Sequence, residues 1–65
     1  MKLNIPAIKR LMAMQRLTQA KLADKAGLSR QSLNGILARG TSTVANAGKI
    51  ADALGVDVTE IWKET

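Results

Sequence analysis

A chain of 65 residues, 46% hydrophobic and 23% charged, is expected to fold as one small globular domain over residues 1–65, with little room for an enclosed substrate pocket beside its core. It has no Cys and no His, which excludes disulfides, thiol and imidazole chemistry and nearly every zinc site; catalysis would rest on five carboxylates, and no enzyme, metal or cofactor is expected. The net charge of +5 is uneven: through Arg39 eight bases face the single acid Asp24, for +7, and from Gly40 onward two bases face four acids, for −2.

Local punctuation predicts five short helices. Asn4 can cap a first helix with Pro6 in its opening turn, Ile5, Ile8, Leu11 and Met12 on one face, and an end near Arg16. Thr18 caps a second, about Gln19 to Ala26, which buries Leu22, Ala23 and Ala26 and stops at Gly27. After Leu28, Ser29 caps a third helix from Arg30 to about Arg39, ended by Gly40. Thr43 caps a fourth, in which Val44, Ala47, Ile50, Ala51 and Leu54 lie three or four apart before Gly55 closes it. Asp57 with Glu60 three residues on reads as a capping box for a last short helix carrying Ile61 and Trp62. Links of two to four residues leave no room for a domain boundary. The expected fold is therefore all-α, five helices packed around Ile8, Leu11, Leu22, Leu28, Leu33, Ile36, Ile50, Leu54 and Ile61.

The third helix has two sides. At about 100° per residue, Leu33, Ile36 and Leu37 fall together with Ser32, while Arg30, Gln31, Asn34, Gly35, Ala38 and Arg39 share an opposite arc of roughly 180°. Arg reads guanine with two hydrogen bonds and Gln or Asn reads adenine, each pairing discriminating by about 1–3 kcal/mol. Any amphipathic helix has a polar face, so this one alone does not decide. The positive field over the same part of the chain adds to it, because each neutralised phosphate releases condensed counterions.

The stretch Leu17-Thr18-Gln19-Ala20-Lys21-Leu22-Ala23-Asp24-Lys25-Ala26-Gly27-Leu28-Ser29-Arg30-Gln31-Ser32-Leu33 resembles the lambda-repressor and Cro-type helix-turn-helix family, with its TQ, LA, AG and SR in that order. Lys49-Ile50-Ala51-Asp52-Ala53-Leu54-Gly55-Val56, followed by a short segment with Trp62, resembles that family's fourth and fifth helices. The resemblance covers about residues 5–63. It implies a compact five-helix DNA-binding domain in which helices two and three form the helix-turn-helix and the third lies in the major groove. It further implies base contacts from Arg30, Gln31, Asn34 and the position of Gly35, and phosphate contacts from Gln19 and Ser29. Gln19 would use the free N–H groups and partial positive charge at the start of its helix. Lys21 and Arg39, with Arg16 and Lys25, are further candidate phosphate partners, although a charged face is also simply well solvated.

The chain departs from the family pattern in three places. Gly35 stands where relatives often place a long base-reading side chain. One extra residue separates Leu33 from the stop at Gly40 and the link to helix four is short, which alters the loop around Arg39 and Thr41. Met12 and Leu37 replace a buried Arg–Glu pair found in some relatives, an exchange that is neutral to stabilising.

Trp62 is the only aromatic residue, so there is no stacking platform for single strands or RNA, and duplex DNA is the expected partner. Trp62 either completes the core under helix four or joins Val58 and Ile61 at a homodimer seam, suited to a pseudo-palindromic operator with half-sites about 34–36 Å apart. No apolar run approaches the roughly 18 residues of a membrane span, and Met1 to Lys9 does not read as a secretory leader, so a cytoplasmic protein is expected. The expected function is a prokaryotic or phage transcriptional regulator, a repressor acting by operator occupancy. The alternatives are an antitoxin-type DNA-binding partner of a toxin and a protein-interaction adaptor that has lost DNA binding.

Overall fold

The capping residues act through the chemistry that predicts them. In the computed structural model, which describes residues 1–63, the side chains of Asn4, Thr18, Ser29 and Thr43 accept hydrogen bonds from the backbone N–H groups of Ala7, Lys21, Ser32 and Asn46 at 3.0–3.2 Å. They open α1 (Ile5–Met14), α2 (Gln19–Ala26), α3 (Arg30–Arg39) and α4 (Val44–Leu54). The last two residues of the expected domain, Glu64 and Thr65, lie outside the described residues.

Helix ends follow one device with two kinds of residue. At the end of α2, Gly27 turns to φ 71° and the Leu28 N–H reaches back to the Ala23 carbonyl at 2.9 Å, satisfying a terminal carbonyl. α1 closes in the same way, with Leu17 N–H donating to the Met12 carbonyl at 2.8 Å, but here the left-handed residue is Arg16 at φ 57°. The first helix, expected to end near Arg16, therefore stops at Met14, because the chain has already begun to reverse. A side chain in this conformation costs roughly 1–2 kcal/mol that glycine avoids.

Ile8, Leu22, Leu33, Ile50, Leu54 and Ile61 are fully enclosed, and no polar or charged residue is buried among the described residues. Each such side chain contributes about 1.5–3 kcal/mol on burial. α2 packs against both α3 and α4, and the buried small residues Ala23, Ala26, Ala47, Ala51 and Ala53 let the backbones approach closely. Met12 and Leu37 both belong to this apolar core, so no ion pair occupies their place. Leu11 and Leu28, expected inside, are half-buried against the core's edge. Val44, expected on the buried face of α4, is 69% exposed, because as the first residue of the helix it lies beyond the core's reach.

The fifth expected helix is a single 3₁₀ turn, Val58–Glu60, packed on α4, so the described chain has four α-helices and this turn. The expected capping box does not form. The Asp57 carboxylate accepts from the Thr59 N–H and hydroxyl, both at 3.0 Å, while the Glu60 N–H donates to the Asp57 carbonyl at 2.9 Å. The Ile61 N–H in turn donates to the Val58 carbonyl at 3.1 Å, the three-residue spacing of a 3₁₀ turn rather than an α-helix.

Helical periodicity assigns no role to residues 1–3, yet Leu3 is buried. Its N–H donates to the Gly40 carbonyl at 2.9 Å, and the Asn4 N–H donates to the Ile61 carbonyl at 2.8 Å. Lys2 pairs with Thr41 and Leu3 with Trp62 as isolated antiparallel bridges. The segment thus joins the α3–α4 link to the chain after the 3₁₀ turn. At the other end of the bundle, the Gln15 side-chain amide donates to the Leu54 carbonyl at 2.6 Å, tying α1 to the end of α4. No helix among the described residues is long and apolar enough to cross a membrane.

Candidate nucleic-acid interface

α3 divides as its sequence divides. Leu33, Ile36 and Leu37 are buried, while Arg30, Gln31, Asn34, Ala38 and Arg39 are exposed and Gly35 is half-covered. Ser32 corrects the division at one position: grouped with the apolar side, it is in fact exposed, with its hydroxyl accepting from Ser29 at 2.9 Å. The exposed side chains form one continuous polar face without an acid.

The helix N-termini are also left positive. None of α1, α2, α3 and α4 carries an acid in its first turn, where each would stabilise by about 0.3–1 kcal/mol through the helix dipole. α3 instead begins with Arg30, which the dipole disfavours. This pattern sacrifices helix stability and keeps the amide-bearing ends attractive to anions.

Gln19 and α3 meet across a shallow cleft of about 280 Å³ lined by Lys9, Gln19, Asn34, Leu37 and Ala38. The structure thus brings Gln19, at the start of α2, beside Asn34 of the polar face of α3. Lys9 joins them and was missed by sequence reasoning. It is an exposed residue of α1 with no cap or motif to single it out, and only the packing of α1 shows which neighbour it faces.

The remaining candidates are placed less evenly. Lys21 is exposed one turn into α2, and Arg16 and Lys25 are exposed as well. Ser29 caps α3 by accepting from the Ser32 N–H at 3.0 Å, and its one hydroxyl proton is donated to Ser32 Oγ, so a phosphate contact would require it to release that bond. Arg39 folds back along its own helix: a Cβ at Gly35 would lie 2.9 Å from its Nη1 and 3.5 Å from its Cζ. The space left by the missing side chain is filled by a guanidinium four residues on.

Of the three residues expected at a dimer seam, Ile61 has no accessible surface and is used up by its own chain's core. It cannot face a partner. Val58 is half-buried against the core, and Trp62 is 45% exposed, which also removes it from the role of completing the core under α4. Nearby, hydrogen bonds from the Thr59 backbone and then its hydroxyl hold the exposed Asp57 carboxyl below its usual value.

A model of the helix-turn-helix family matches residues 8–61. A solved structure described as Phpd with cadmium complexed with hydroethylphosphonate is similar in fold over 100% of this chain, with a TM-score of 0.82 and 26% sequence identity. This chain spans 14% of the length of that one. No curated protein matches it.

Proposed function

The chain belongs to the helix-turn-helix family, and from that premise we propose that it is a sequence-specific regulator that binds double-stranded DNA and represses by occupying an operator. The observation that carries this reading is the exposed, acid-free face of α3, where Arg30 and Gln31 share a side with Asn34, which lines a cleft with Gln19 and Lys9. Phosphate contacts fix register and base contacts specify sequence. Gln19, Lys9 and the free N–H groups at the start of α2 supply the first kind. Arg30, Gln31 and Asn34 have the geometry for the second, since all three project from one side of a helix of groove-filling width. Repression follows because a bound protein needs no further activity to exclude polymerase. Two copies on a pseudo-palindromic site would place their α3 helices about one turn of DNA apart.

The second reading is an adaptor that keeps the fold and no longer binds DNA; a similar fold also occurs within the much longer Phpd chain. Selection of bound duplexes from a random pool separates the two. An enriched inverted repeat bound at least about a thousandfold tighter than a scrambled duplex supports the regulator. Gln31→Ala should then relax preference at one base position, whereas Lys21→Ala should weaken every sequence alike. No enrichment, together with binding that is absent or insensitive to salt, would overturn the DNA reading and favour the adaptor.

A further inference from the structure

A second cleft, of about 390 Å³, opens where α3 ends, and its lining includes Lys2, Asn4, Arg39, Thr41 and Lys63. Lys2, Lys63 and Arg39 line it, the Arg39 guanidinium lying back over Gly35, and no acid lines the cleft among the described residues. They come from three separate parts of the chain, which backbone hydrogen bonds hold together: the Leu3 N–H donates to the Gly40 carbonyl at 2.9 Å and the Lys63 N–H to the Lys2 carbonyl at 3.1 Å. The bases are therefore mounted on a pinned framework. Their mutual repulsion opposes that arrangement, and an anion in the cleft would reverse its sign.

Arg39 identifies which anion. It is the last residue of α3, so it belongs at once to the reading helix and to the cleft. A helix seated in the major groove has a phosphate backbone on either side, so a duplex held by Gln31 and Asn34 brings phosphates within reach of residues flanking the end of α3. We propose that this cleft holds a phosphodiester segment of the DNA backbone through Lys2 and Lys63, joined by Arg39 once its guanidinium swings from its seat over Gly35, extending the footprint beyond the helix-turn-helix itself. The proposal rests on the DNA-binding reading above. It gives residues 1–3 and 62–63 a functional task in addition to their packing.

The test compares the full chain with Lys2→Ala/Lys63→Ala and with Arg10→Ala/Lys49→Ala, a control that removes the same charge from exposed positions lining neither cleft. Each is titrated with the selected duplex and a scrambled one over a range of salt, and thermal melts check that each folds. The cleft variant is expected to lose affinity about tenfold or more on both duplexes near 0.1 M salt, and to lower the magnitude of the log K against log salt slope by about 1.8, close to two phosphate contacts. The control should change the slope by much less. An equal drop in both variants would reduce the effect to net charge and overturn the cleft. An unchanged slope in the cleft variant, with tight selective binding by the unmodified protein, would refute the cleft alone. Failure of the unmodified protein to bind any duplex would remove the DNA reading and the cleft with it.

Discussion

At position 35 a Cβ would come within 2.9 Å of Arg39 Nη1, the far end of a flexible side chain, and meets no backbone within the distances that matter. Glycine in a helix interior costs about 0.5–1 kcal/mol against alanine, and swinging one guanidinium aside costs less. Gly35→Ala should therefore raise the melting temperature by a few degrees and, by freeing Arg39 from its seat over α3, should not weaken DNA binding. Melts and duplex titrations on the same preparation check both halves. A lower melting temperature would show that the guanidinium is held rigidly and that the glycine is structural. The sequence marks Gly35 as a departure from its family, but which atoms fill the vacancy depends on a rotamer choice that no residue spacing encodes.

The 3₁₀ turn is the element where local pattern and outcome differ most. Its opening rests on the Asp57 carboxylate, whose charged form is favoured by the Thr59 backbone and hydroxyl donors. A carboxyl with a lowered folded-state pKa contributes stability that is present above its unfolded value and lost as pH falls through the folded value. The difference in melting temperature between the unmodified chain and Asp57→Ala should thus be constant from pH 7 to about 5 and close progressively below about pH 4. Melts across that range decide it; a gap that stays open at about pH 2 would mean that the turn does not depend on the charge. Asp57 and Glu60 satisfy the pattern of a capping box, yet the hydroxyl of Thr59 offers the carboxylate a nearer second donor, and the chain after it is claimed by Leu3 through the bridge to Trp62.

For the whole molecule, the open question is how two copies would meet. We propose that Trp62 and Val58 form the seam of a homodimer on DNA, with Ile61 beneath them holding the segment to the core. Trp62 is the sole aromatic residue, so fluorescence excited near 295 nm reports on it alone. Dimerisation should move its emission to shorter wavelength, and Trp62→Ala should leave the monomer's helical signal intact while reducing the dimeric fraction in sedimentation. Monomer throughout at high micromolar concentration, with and without operator, would eliminate the seam.

What the sequence determined by itself is whatever acts over one turn of chain. Thr18, Ser29 and Thr43 start helices because their hydroxyls reach an N–H three residues on, Gly27, Gly40 and Gly55 end them because a left-handed turn suits a residue without Cβ, and Leu33, Ile36 and Leu37 separate from Gln31 and Asn34 by helical winding alone. These local rules carry the helix-turn-helix and most of the exposed polar face of α3. Tertiary structure decided which segments adjoin: that Leu3 is core, that Ile61 is enclosed while Trp62 and Val44 are not, that Lys9 faces Gln19's cleft, and that Lys2, Arg39 and Lys63 share another. The reason is physical. Those outcomes depend on backbone hydrogen bonds and packing between residues far apart in the chain, such as Lys63 to Lys2 and Leu3 to Gly40, and no periodicity within one element specifies its neighbour.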